Sequence, residues 1–242
     1  MRRWQGLVMT RNAAVLFDVD GTLVDSNYLH VYAWARAFAA ERIPVQAWQI
    51  HRSIGMDGAT LVQTLAGGVA DDVAQRLKTL HSDFYRDTTN LLQPLPGARK
   101  LLHAVSDLGL QVVLASSAPE DELGILRSVL DCDDIVSAAT SSRDVDTAKP
   151  DPAIVQAALN RAGVAAEQAV FVGDAVWDVE AAGRAGMPCI GLRCGGTSRD
   201  ELTQAGAVAV FDDPADLLDG IDTTPIGTVA HAQREDQRTT SR

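Results

Sequence analysis

Cysteine is scarce in this 242-residue chain, with only Cys132, Cys189 and Cys194. No two of them form a C-x-x-C pair and one is left over. That argues against a disulfide framework or a zinc site and fits a reducing cytoplasm. Long apolar runs are missing too: none approaches the ~20 residues of a membrane span. The basic start, Met1-Arg2-Arg3, runs into residues too polar for a signal-peptide core. Positive charge is the third shortage. Lys and Arg number 21 against 32 Asp and Glu, a net charge of −11. This balance speaks against nucleic acid or an anionic membrane as main partner. A phosphorylated ligand stays open, provided that local cations and a metal receive it. The hydrophobic share of 46% and charged share of 22% are those of a soluble globular protein.

What is present begins with Ala13-Ala-Val-Leu-Phe17, a short apolar run that reads as a buried strand. It leads into Asp18-Val-Asp-Gly-Thr22. Two carboxylates spaced by two in an extended segment point to the same side, and Gly21 permits a tight turn. Directly afterwards the pattern turns helical: Tyr28, Val31, Tyr32, Ala35, Phe38 and Ala39 share one face, with Ser26 or Asn27 as cap. Further helices are expected at 46–53, 58–66 and 71–88, and no strand before 111. Pro94-Leu-Pro-Gly97 closes this helical insertion with rigid turn chemistry.

From Gly97 the chain alternates. Helices are expected at 98–108, 119–130, from Pro152 to about 163, 176–185, 199–205 and 214–220. Strands are expected at 111–115, 135–139, 169–172, 188–192 and 207–211. Such alternation means a parallel, Rossmann-like α/β sheet with crossover helices on both faces. The expected division is an N-terminal extension (1–10), a core (11–25 and 95–221), a helical cap (26–94) and a disordered tail (222–242) without periodicity.

Sites in open parallel sheets form at the carboxyl ends of strands. Asp18 and Asp20 end the first expected strand, Ser116 and Ser117 the second, and Gly173-Asp174 the fourth, with Asp178 in the following helical turn. Lys149, one of few lysines, precedes Pro150, which favours an extended backbone before it. Singly, each has a bland reading: a turn serine, a surface lysine, an N-cap acid. Together they describe converging carboxylates suited to a hard cation such as Mg²⁺. A hydroxyl and an ammonium stand beside them for a phosphoryl group.

Asp18-Val-Asp-Gly-Thr22, Ser116, Lys149-Pro150 and Gly173-Asp174-x-x-x-Asp178, in this order, resemble the four motifs of the haloacid-dehalogenase superfamily. The resemblance covers residues 13 to 220, and the insertion is similar to the cap of its phosphoglycolate-phosphatase and β-phosphoglucomutase branch. It implies Asp18 as nucleophile and Asp20 as acid/base. It implies Mg²⁺ held by Asp18, the Asp20 backbone carbonyl and Asp174, with Ser116 and Lys149 gripping the phosphoryl group. Asp178 would orient Lys149 or a metal-bound water, while Gly21 and Thr22 shape the turn. Asp20 favours phosphoryl chemistry over dehalogenation, and Thr22 favours hydrolysis over the mutase alternative.

His30 and Arg52 are the expected cap contacts to substrate, with His51 and Met56 as further candidates. Gly55, Gly58 and the turn at 94–97 would let the cap move. A receiver-type phospho-accepting module uses similar residues but places its acidic pair differently and needs no cap. The expected partner is therefore a small phosphorylated metabolite, acted on by a monomer or homodimer.

Overall fold

The computed structural model describes residues 12–240, apart from 146 and 148. The expected N-terminal extension lies outside the described residues. The first strand, β1 (Ala14–Phe17), is followed by four helices: α1 (Asn27–Ala40), α2 (Ala47–Ser53), α3 (Gly58–Ala66) and α4 (Asp71–Arg86). Then α5 (Ala98–Asp107), β2 (Gln111–Ala115), α6 (Glu120–Leu130), β3 (Val136–Thr140) and α7 (Ala153–Ala162) alternate. The series continues with β4 (Ala169–Gly173), α8 (Val176–Arg184), β5 (Cys189–Leu192), α9 (Arg199–Ala205), β6 (Ala209–Phe211), α10 (Pro214–Gly220) and α11 (Pro225–Thr240).

The strands form one sheet in the order β3-β2-β1-β4-β5-β6, and every pairing is parallel. Period-two alternation splits its buried residues between two faces. Val15, Phe17, Val112, Leu114, Val170 and Val172 pack with α5, α6, α10 and α11. Ala14, Leu16, Val113, Ala115, Ala169 and Phe171 pack with α7, α8 and α9. β1 lies between β2 and β4, so the strand order reverses beside it. This puts Asp18 at the crevice where such sheets bind ligands.

The inserted helices carry their own apolar cluster, built on Val31, Trp34, Phe38, Ile50, Leu61 and Leu77. Their two connections to the sheet run side by side. Asp25 N donates to Gln93 O and Leu95 N to Leu23 O, both at 2.9 Å.

The expected disordered tail is corrected by α11. Ile226, Ala230 and Gln233 are buried at helical spacing, a narrow stripe within a polar segment. Gln233 accepts from Ala13 N through Oε1 at 2.9 Å and donates through Nε2 to Gly109 O at 2.8 Å. The sparse stripe hides this helix in the sequence, because polar residues outnumber the docking ones. Among the described residues, no helix is long and apolar enough to cross a membrane.

Candidate active site

The sheet delivers four polar segments to one edge. Asp18 N donates to Val172 O at 2.9 Å, extending the β1–β4 ladder to the residue that carries the first carboxylate. Gly21 then adopts a left-handed backbone (φ 73°), which turns the chain so that Thr22 faces back into the site. Thr22 Oγ1 donates to Asp174 Oδ1 at 2.9 Å, joining the turn after β1 to the end of β4. Asn27 Nδ2 donates to Asp174 Oδ2 at 2.8 Å and lies 3.1 Å from Gly195 O.

Lys149 is buried, and its Nζ lies 2.5 Å from Asp18 Oδ1 and 2.7 Å from Asp178 Oδ1. The other Asp178 oxygen accepts from Ala175 N at 3.0 Å, which fixes the carboxylate at the start of α8. Ser116 is fully buried, and its Oγ accepts from Ala118 N at 3.0 Å. Ser117 lies on the wall of the cavity.

Burial shapes the charges. It pushes Asp18 up to about 7, with Asp178 and Asp20 adding to the rise and Lys149 opposing it. Asp174 is driven well above the usual carboxylate range by burial, then by Asp178 and Asp18. Burial alone would lower Lys149, but Asp178 and Asp18 outweigh it and raise its pKa. Oxygens of Asp18, Asp174 and Asp178 come within 4.8 Å of one another. Three buried carboxylates against one ammonium leave negative charge that a hard dication would neutralise.

Asp20 is placed differently. Its Oδ1 accepts from Ser26 Oγ at 2.6 Å and lies 3.2 Å from His30 Nε2. Burial raises its pKa, but His30 and Ser26 outweigh this and lower it overall. For His30, the downward push of burial is outweighed by Asp20 and Glu122. Its ring stacks on Tyr85, with centroids 4.0 Å apart, and its Nδ1 lies 3.1 Å from His81 Nε2.

A cavity of about 310 Å³ opens between the carboxylates and the cap. Trp34, Ile54, Met56 and Leu61 give it apolar walls, while Lys78, His81, Ser82 and Glu122 supply polar ones. His30 is brought to this site and Arg52 is not. Arg52 ion-pairs with Glu201 at the exposed rim between cap and core and is not among the residues lining the cavity. His51 stacks on Tyr28, and its Nε2 lies 3.0 Å from Gly195 O. Trp177 has a packing reason: a Cβ on Gly55 of the cap would stand 3.1 Å from its Cδ1.

Sequence reasoning missed Asn27, His81, Glu122 and Gly195. Asn27 reads as a helix cap, and His81 falls on the stripe of Leu77 and Tyr85, four residues from each, so it reads as core. Gly195 gives no local signal, yet a Cβ there would come within van der Waals overlap of Asp174.

The haloacid dehalogenase-like hydrolase family model matches residues 13–186. A phosphoglycolate phosphatase of Rhodospirillum rubrum is 33% identical over 217 residues, 85% of this chain and 89% of that one. A phosphoglycolate phosphatase of Pseudomonas putida is 31% identical, over 93% of this chain and 85% of its own. Among solved structures, a hydrolase from Pseudomonas syringae superposes with a TM-score of 0.84 and 37% identity, covering 87% of this chain and 98% of that one. A β-phosphoglucomutase from Clostridium difficile shares the fold at a TM-score of 0.75 and 19% identity, over 85% of this chain and 92% of its own.

Proposed function

This chain belongs to the haloacid dehalogenase-like hydrolases, and from that premise we propose that it is a phosphatase of a small phosphorylated metabolite, with Asp18 as nucleophile. The observation that carries this reading is the pair Asp18 and Asp20, two residues apart at the end of the central strand. Lys149 holds the first and His30 the second.

Asp18 attacks phosphorus, a bond forms between its carboxylate oxygen and phosphorus, and the ester oxygen leaves. That oxygen takes a proton from Asp20. Asp20 then accepts a proton from the water that attacks the aspartyl phosphate, releasing phosphate and restoring Asp18. Asp20 Oδ1 and His30 Nε2 stand 3.2 Å apart, close enough for a proton to pass between them. Lys149, beside Asp18, neutralises charge growing on the phosphoryl oxygens, and Ser116 and Thr22 stand at the same strand ends.

The buried acids fit Mg²⁺, which Asp18, the Asp20 carbonyl and Asp174 would hold. Asp178 orients Lys149. When bound, the ion offsets repulsion between Asp18 and the phosphate.

The size of the cavity and the phosphoglycolate phosphatases among the relatives support a small ester of the phosphoglycolate or sugar-phosphate kind. Free cysteines are consistent with a cytoplasmic setting. The mutase alternative draws only on likeness of fold, and Thr22 favours hydrolysis.

The test is phosphate release from 4-nitrophenyl phosphate, with Mg²⁺ or a chelator, by wild type and Asp18→Asn. Mg²⁺-dependent turnover that Asp18→Asn abolishes supports the reading. Equal turnover by both proteins removes Asp18 as nucleophile.

A further inference from the structure

The second carboxylate of the site does not end a chain of hydrogen bonds but begins one. Asp20 Oδ1 meets His30 Nε2 at 3.2 Å, and His30 Nδ1 meets His81 Nε2 at 3.1 Å. The three groups come from the loop after β1, from α1 and from α4, so this line crosses from core to cap. Each ring is gripped on its face. His30 stacks on Tyr85 with centroids 4.0 Å apart, and His81 on Trp34 with centroids 4.2 Å apart. Tyr85 and Trp34 are themselves buried, so neither imidazole is free to turn.

We propose that His81 is a positioning residue for the proton transfer at Asp20. It accepts a hydrogen bond from His30 Nδ1–H and so leaves Nε2 as the nitrogen that faces the acid. This rests on the reading of Asp20 as general acid. A neutral imidazole has one N–H and one lone pair, and a partner on one nitrogen decides what the other does. Low-polarity packing around His81, with His30 beside it, keeps its ring neutral, with a pKa near 2. With the ring's single proton on Nδ1, its Nε2 offers a lone pair to His30 Nδ1–H across the 3.1 Å contact. With His30 Nδ1 occupied, a proton passing between that ring and Asp20 is confined to Nε2 and Oδ1. When Asp20 gives its proton to the leaving oxygen, and later takes one from water, the ring beside it keeps its orientation. The arrangement has the logic of a base oriented by a third group, here applied to an acid and supplied by the cap. His30 on α1 and His81 on α4 both belong to the inserted helices, so a cap that moved away would carry the pair off together, and the acid is fully set only when the cap is seated.

The experiment compares two esters of similar size, 4-nitrophenyl phosphate and phenyl phosphate. The first expels an anion that needs little protonation, and the second depends more on the acid. His81→Phe keeps an aromatic ring against Trp34 but cannot accept the hydrogen bond. It should lower kcat/KM for phenyl phosphate about tenfold more than for 4-nitrophenyl phosphate. His81→Gln, whose amide oxygen can accept, should restore much of that difference.

Asp20→Asn calibrates the assay. If it lowers both esters equally, the reading of Asp20 as acid fails. If it is selective for phenyl phosphate while His81→Phe lowers both equally or neither, the role of His81 is overturned. Nitrogen-15 spectra of the wild type give an answer without any variant. A neutral His81 ring protonated at Nδ1 supports the proposal, and one protonated at Nε2 overturns it.

Discussion

Lys149 Nζ and Asp178 Oδ1 lie 2.7 Å apart, and both side chains are only 1% exposed. A buried ammonium survives folding only when its partners match it, and here the partners are Asp178 and Asp18. Lys149→Met should therefore abolish turnover and also destabilise the metal-free protein by ~3–5 kcal/mol, because buried carboxylates lose their counter-ion. Asp178→Asn preserves volume and leaves Lys149 its bond to Asp18. It should lower kcat by ~10²-fold through a displaced ammonium, with a smaller loss of stability. Urea unfolding in the presence of a chelator measures both. Equal stability of Lys149→Met and wild type would contradict the charge argument.

Asp174 is the site acid least compensated by the protein: it accepts hydrogen bonds from Thr22 and Asn27, and no cationic side chain pairs with it among the described residues. Mg²⁺ added without substrate should raise unfolding stability by RT ln(1 + [L]/Kd), ~2.7 kcal/mol at a hundredfold excess over Kd. Asp174→Asn should remove most of this gain and should itself raise the stability of the metal-free protein, because it deletes one buried negative charge. Thermal unfolding with and without Mg²⁺ reads both effects. A variant stabilised by Mg²⁺ as strongly as wild type would place the ion elsewhere.

The residues legible in the sequence are those whose position follows from one local rule. Asp18, Asp20, Ser116 and Asp174 sit where apolar strands stop, and strand ends of a parallel sheet meet at one edge. Asp178 follows from helix phase after Asp174. The cap did not yield to such reasoning. Arg52 and His30 are both polar residues on cap helices, and only the docking of those helices decides that His30 meets Asp20 while Arg52 meets Glu201. His81 is hidden for the opposite reason, since it occupies an apolar stripe and yet lines the cavity. Gly195 is set by closeness to Asp174 across the sheet, which no spacing in the chain records.

His81 also predicts an acid sensitivity. Its ring meets His30 from α1, and Glu122 from α6 with Lys78 and Ser82 from its own helix are the other polar groups lining the same cavity. Folding lowers its pKa from 6.5 to about 2, chiefly by desolvation and then by His30. The unfolded chain then binds a proton below pH 6.5 that the folded one refuses. Its contribution to stability is fully present above pH 6.5 and is lost as pH falls, by at most ~1.4 kcal/mol per unit. His81→Phe should therefore lose less stability than wild type between pH 6.5 and 5.5. Urea unfolding at these two pH values is the check, and identical slopes would show that His81 protonates in the folded state.

The last prediction concerns the end of β1 remote from the chemistry. Gln233 gives its amide oxygen to Ala13 N and its amide nitrogen to Gly109 O, so one side chain on α11 closes two backbone groups beside the central strand. Gln233→Leu keeps the volume but satisfies neither, and an unpaired buried backbone group costs ~1–3 kcal/mol. Stability should fall by about that much for the buried Ala13 N, with a smaller further loss for Gly109 O, which is half-buried. The active-site carboxylates follow β1 at its opposite end, so kcat for 4-nitrophenyl phosphate should stay within twofold of wild type. Ending the chain after Thr224 should cost more than the point substitution, because Ile226 and Ala230 are then removed from the apolar cluster as well. Chemical unfolding of wild type, Gln233→Leu and the shortened chain ranks the three. If the shortened chain is as stable as wild type, α11 is not docked in solution and the polar segment behaves as its composition suggests.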